Sequence, residues 1–305
     1  MANLNNLVET LKNNQNLKEI DKTLIVDFIG DLLELGYPTI NLDNFTQNME
    51  NFKIDTYDDI YESKIAEYNN EQNKLLMNKL IVEPIENYII TDELVMKKDL
   101  IDRNYKYHIY KALLNCASTK KHNGVISTGI VDSQGKNCAL NEAITERFLE
   151  LMLGCEYNIL DLEMITFSKI QEIIGVDPII EAYFNADYNT LKQEFESYGI
   201  NLEDLSNKMD RMMNLNKGNI YPNNDETLIC DIDRILMSGF AKKLANENLD
   251  NLNIGNYQEH IITPQDIVTY SKEHLNIFEN TNRNLEYFEM LLKGIMESKK
   301  EIKEY

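Results

Sequence analysis

The sequence predicts an α+β fold that is mostly helical, with a small strand-bearing centre. Three observations carry this. Helical apolar spacing recurs in the first 40 residues and through most of residues 159–305. β-branched and aromatic residues concentrate between residues 79 and 131. The apolar fraction of 43% is enough for a core, so disorder is not the default reading. Three regions are expected: a helical extension or cap over 1–78, a small sheet with two site-bearing helices over 79–158, and a helical region over 159–305.

In the first region Leu4, Leu7 and Leu11 make one apolar stripe. Leu24, Ile25, Phe28, Ile29, Leu32 and Leu33 make a second, stopped by Gly36-Tyr37-Pro38. Tyr61 to Leu76 is polar and charged and reads as a solvent-facing helix. In the second region, Lys79 to Glu83 and Asn87 to Thr91 favour short strands, and Pro84 argues against a long central one. A helix over about Tyr105 to Ser118 places Ile109, Ala112, Leu113 and Cys116 on its apolar face. Gly124 to Val131 reads as a strand or irregular hairpin closed at Ser133-Gln134-Gly135. Asn141 is expected to cap the next helix, which carries Ile144, Phe148, Leu151 and Met152. In the third region breaks fall near Gly175, Gly199, Gly218 to Asn223 and Asn253 to Pro264, with Pro178 suited to a helix first turn.

The charge bounds the partners. Thirty basic against 51 acidic residues give a formal charge of −21. Such a surface repels phosphate backbones, so a nucleic acid is not expected, and a basic protein or peptide fits better. No apolar run has the length of a membrane span, and the N-terminus lacks a basic start followed by an apolar stretch. Cys116, Cys138, Cys155 and Cys230 have no close pairing and read as reduced thiols of a cytoplasmic protein.

One segment carries a candidate site. Lys111-Ala112-Leu113-Leu114-Asn115 precedes Cys116-Ala117-Ser118-Thr119, then Asn123-Gly124, then Leu140-Asn141-Glu142-Ala143-Ile144-Thr145-Glu146. Over these fifty or so residues the chain resembles the gluzincins, the thermolysin-like zinc metallopeptidases. In them His-Glu-x-x-His stands where Lys111 to Asn115 stands here. The resemblance implies a degenerate metallopeptidase-like core. Glu142 would take the third-ligand position and Glu146 that of a carboxylate orienting a liganding imidazole. Lys111 and Asn115 fall at the histidine positions and Ala112 at the base position. A protonated lysine repels a dication, and alanine has no proton acceptor.

The function expected is therefore non-catalytic: a pseudoenzyme with no metal or cofactor, binding a protein or peptide. One alternative is a metallohydrolase with unusual ligands, for which His108, Glu142 and His260 or His274 would have to meet. Another is a structural or assembly protein of a phage or mobile element. Two placements of the acidic pair remain open. Lys111 pairs with Glu142 in place of a metal's charge, or Glu142 and Glu146 lie one turn apart on a solvated helix face. Tyr105, Tyr107 and Tyr110 read as packing residues with wet hydroxyls, His122 as a loop residue, and Asp231 and Asp233 as the start of a helix.

Overall fold

The computed structural model describes residues 2–57, 65–78, 95–131, 135–154, 161–217, 225–252, 278 and 282–303. These form a mostly helical protein with a small mixed sheet and a separate hairpin. The chain divides into two compact units: Met1–Asp161 with Asp177–Tyr188, and Leu162–Val176 with Asn189–Tyr305.

The first unit opens with α1 (Ala2–Asn13), α2 (Glu19–Glu34) and α3 (Asp43–Met49). Most of both expected stripes points inward: Leu7 and Leu11 on α1, and Ile25, Phe28, Ile29 and Leu32 on α2, are buried, whereas Leu33, expected on the second stripe, is exposed. Strands β1 (Lys53–Tyr57), β2 (Ala66–Asn69) and β3 (Lys74–Asn78) follow. β3 lies in the middle, parallel to β1 and antiparallel to β2. The sequence expectation fails here, because the solvent-facing helix over Tyr61 to Leu76 is replaced by β2 and β3. Leu75 and Met77 are buried from the central strand, so tertiary packing overrides the helical preference of leucine and methionine. Asn69 Oδ1 accepts the Gln72 N–H at 2.9 Å and closes the turn between them. The strands expected at Lys79 to Thr91 lie outside the described residues.

Helix α4 (Val95–Ala117) enters next and packs against α2, α3, β2 and α5 (Cys138–Leu153). Its expected apolar face is buried: Ile109, Ala112, Leu113 and Cys116. Between the two helices, β4 (Thr119–His122) and β5 (Val125–Thr128) pair antiparallel across Asn123-Gly124. Both turn residues have positive φ, 51° and 77°, the conformation a two-residue hairpin needs. The hairpin thus closes at Asn123-Gly124 and begins at Thr119. His122 is the last residue of β4, not a loop residue. Helix α7 (Asp177–Asn185), with Pro178 in its first turn, completes the unit. Phe28 meets Phe45 and Tyr110 edge to face, at 5.7 and 5.3 Å between centroids, tying α2, α3 and α4 together.

Asparagine side chains hold the irregular backbone. Asn48 Nδ2 donates to the Cys116 and Thr119 carbonyls at 2.9 and 2.7 Å, where α4 passes into β4. Asn44 Nδ2 donates to the Phe184 carbonyl at 2.7 Å. Asn48→Ala should cost about 2 kcal/mol, because two buried carbonyls lose their donor. Urea unfolding at equilibrium checks this, and an unchanged midpoint would show that Asn48 is not a clamp.

The second unit holds α6 (Asp161–Ile174), α8 (Tyr188–Ser197), α9 (Leu202–Lys217), α10 (Asp225–Leu252) and α11 (Asn282–Lys303), apart from the boundary residues Asp161 and Tyr188. α10 packs against α9 and α11. Phe240 on α10 stacks on Phe288 of α11 and also meets Phe278. Asp231 and Asp233 stand in the second and third turns of α10, not at its start. Asp233 forms a buried ion pair with Lys169 of α6, and the Lys169 ammonium lies 5.3 Å from the Phe278 ring centre.

Candidate functional site

Two helices bring the site together. On α4, Tyr107 and Lys111 are four residues apart, and on α5, Glu142 and Glu146 are likewise, so each pair shares a helical face. The helices pack with these faces opposed. Lys111 Nζ lies 2.7 Å from Glu142 Oε2 and 2.7 Å from Glu146 Oε1. The Tyr107 hydroxyl donates to the same Glu146 oxygen at 2.5 Å. Of the two placements left open above, the structure takes the ion pair and extends it to both carboxylates. Glu146 is not solvated: its side chain is 4% exposed, against 33% for Glu142 and 26% for Lys111.

The electrostatics follow from this geometry. Burial alone would lower the pKa of the Lys111 ammonium, but Glu142 and then Glu146 outweigh it, and the group is held above its ordinary value of 10.5. Burial pushes the Tyr107 phenol up, against an opposing pull from Lys111. His108 is half-buried and its pKa lies below 6.5, lowered by burial first and by the Lys111 charge second.

Ala112 is buried. Asn115 contributes its backbone carbonyl, which accepts from Thr119 Oγ1 at 2.6 Å. Thus Lys111, Glu142 and Glu146 form one ion-paired cluster, while Ala112 and Asn115 are not seen to contribute side chains to it. Among the described residues, no group of three or more His, Cys, Asp or Glu is placed to hold a metal ion. His260 and His274, which the metallohydrolase alternative needs, lie outside the described residues, as does Cys155.

A second layer sets the position of α5. Asn141 does not cap the helix. Asn137 takes that place with a left-handed backbone, φ 69°, while Asn141 sits in the first turn and accepts the Ile130 N–H through Oδ1 at 3.0 Å. Thr145 Oγ1 donates to the Asn141 carbonyl and shares a 2.9 Å hydrogen bond with the Tyr183 hydroxyl of α7. Burial is the main cause that pushes the Tyr183 phenol up to about 12. Tyr107 and Tyr110 do not carry wet hydroxyls: Tyr107 serves Glu146, and Tyr110 donates to Asp31 at 2.7 Å. The signal for Tyr107 was present in its position four residues before Lys111.

No protein-family model matches the chain, and no curated protein or solved structure matches it either. Among the described residues, no helix is long and apolar enough to cross a membrane.

Proposed function

We propose that this protein binds a protein or peptide without hydrolysing it, on a scaffold of the metallopeptidase kind whose metal has been replaced by a lysine side chain. One observation carries the reading: the Lys111 ammonium stands 2.7 Å from both carboxylates that the resemblance assigns to the metal-binding helix. A single positive charge there supplies the counter-charge that buried carboxylates require. It supplies no Lewis acid and, held protonated, no base. Ala112, buried at the position of the general base, has no atom that accepts a proton.

The test restores the missing ligands. Lys111→His, Ala112→Glu and Asn115→His together rebuild His-Glu-x-x-His opposite Glu142. The triple variant should take up zinc stoichiometrically by calorimetry, through the two new histidines and Glu142. A folded triple variant that gains no zinc affinity sinks the scaffold reading. Tight zinc binding by the unaltered protein, with turnover of peptide substrates, sinks the non-catalytic one.

A further inference from the structure

The charge of this chain is unevenly distributed. Of its 305 residues 51 are acidic, yet residues 103–131 contain no Asp or Glu and carry Arg103, Lys106, Lys111, Lys120 and Lys121. Lys111 is consumed by the site on α4 and α5, and the Lys106 ammonium lies 5.7 Å from the Tyr110 ring centre. Lys120 and Lys121 are different. They sit on β4, are exposed, and among the described residues have no carboxylate partner.

The hairpin gives these lysines a defined platform. Register pairs Thr119 with Thr128, Lys120 with Ser127, Lys121 with Ile126 and His122 with Val125. Alternation then places Thr119, Lys121, Ile126 and Thr128 on one face. That face is anchored at its base: Thr119 is buried, and Asn70 Nδ2 donates to Thr128 Oγ1 at 3.4 Å. The opposite face carries Lys120, His122, Ser127 and Val125. Here Lys120 and His122 are exposed, and Val125 is exposed to 54%, among the largest exposures of any big apolar side chain described. A cationic ribbon with an apolar residue at its tip therefore stands out from a strongly acidic chain.

We propose that the exposed end of the β4–β5 hairpin docks an acidic segment of a partner protein, one in which carboxylates flank an apolar side chain. Lys120 and Lys121 pair with the carboxylates, one from each face of the ribbon, and Val125 receives the apolar anchor. Complementarity of charge selects this occupant. An extended polyanion such as a nucleic acid would have to lie along the rest of a surface whose net charge is −21, which repels it. A short acidic segment meets only the local positive field, because ions screen charges more than about 10 Å away. The surface is distinct from the Lys111 cluster, and its occupancy does not depend on that site.

Fluorescence anisotropy with three labelled probes tests this. They are a decapeptide of alternating glutamate and leucine, its lysine–leucine counterpart, and a single-stranded oligonucleotide. The glutamate peptide should bind about tenfold or more tighter than either other probe, and should weaken as salt rises from about 50 to about 300 mM. Lys120→Glu with Lys121→Glu should reduce that binding at least about tenfold while leaving the unfolding midpoint nearly unchanged, since both side chains are exposed. Lys120→Gln with Lys121→Gln should give a smaller loss in the same direction. Three results overturn the proposal: equal or tighter binding of the lysine peptide, tighter binding of the oligonucleotide, or glutamate-peptide binding indifferent to charge reversal. Self-association in sedimentation that the Lys→Glu pair abolishes also overturns it, because the occupant is then a second copy of this chain.

Discussion

Lys111→Met is expected to lower the free energy of unfolding by about 3 kcal/mol, the lower end of the cost of breaking a buried ion pair from one side. The lower end applies because Lys111 and Glu142 are 26% and 33% exposed and water screens part of their interaction. The larger share comes from Glu146, 4% exposed, which keeps the Tyr107 hydroxyl but loses its counter-charge. The pH dependence separates charge from packing. Lys111 is held above its ordinary 10.5 in the folded protein. Its contribution is thus fully present below 10.5 and is lost only as the pH climbs through the raised value. The difference between the two proteins should be flat from about pH 7 to about pH 10 and shrink at strongly alkaline pH. Lys111→Met with Glu142→Gln and Glu146→Gln should recover most of the loss, since the amide carbonyl that Glu146→Gln introduces still offers Tyr107 an acceptor. Urea titrations across pH measure all of this. A triple variant as unstable as Lys111→Met would mean that the lysine stem, not its charge, holds the helices.

That cluster was half legible in the sequence. Lys111 opposite Glu142 was suggested by the positions that the resemblance assigns them and by the need of a carboxylate for a partner. Glu146 was harder to place, because spacing of four residues fits a solvated face equally well, and only the packing of α5 on α4 decides which face is inward. The strands were the least legible. Lys53-Ile54-Asp55-Thr56-Tyr57 does not keep an alternation, since Ile54 and Tyr57 are three residues apart, and Lys74-Leu75-Leu76-Met77 is built from good helix formers. Neither declares a strand until the two are paired. Asn141 was read as a helix cap, and none of the asparagines was legible as a long-range clamp. Asn44, Asn48 and Asn141 each bond to backbone distant in sequence, by 140, at least 68 and 11 residues. Local sequence does not encode such partners.

Gly129→Ala should be more damaging still, costing about 4 kcal/mol, the sum of a backbone penalty and a displaced hydrogen bond. Gly129 leads from the hairpin towards α5 with φ 56°, a left-handed conformation that charges any other residue about 1 kcal/mol or more. Space adds to the cost. A Cβ there would lie 1.9 Å from Asn141 Oδ1 and 3.0 Å from Tyr183 Cε2. Asn141 Oδ1 is the acceptor for the buried Ile130 N–H, so moving it aside leaves that donor unpaired, at about 1–3 kcal/mol. Tyr183 cannot yield freely either, because its hydroxyl is tied to Thr145 and its ring stacks on Phe148 at 5.8 Å. The clash and the lost hydrogen bond share one atom, which makes a double-mutant cycle decisive. Asn141→Ala alone removes the acceptor and costs about 2 kcal/mol. In the Gly129→Ala background it also removes the obstacle, so the double variant should be more stable than the sum of the single losses by at least about 1 kcal/mol. The loss should extend to the Lys111 cluster, because Asn141 lies one residue before Glu142 on α5, and a displaced first turn carries Glu142 with it. Additive losses in the cycle would show that Gly129 is required for its backbone angle alone and that Asn141 does not set the position of the site helix.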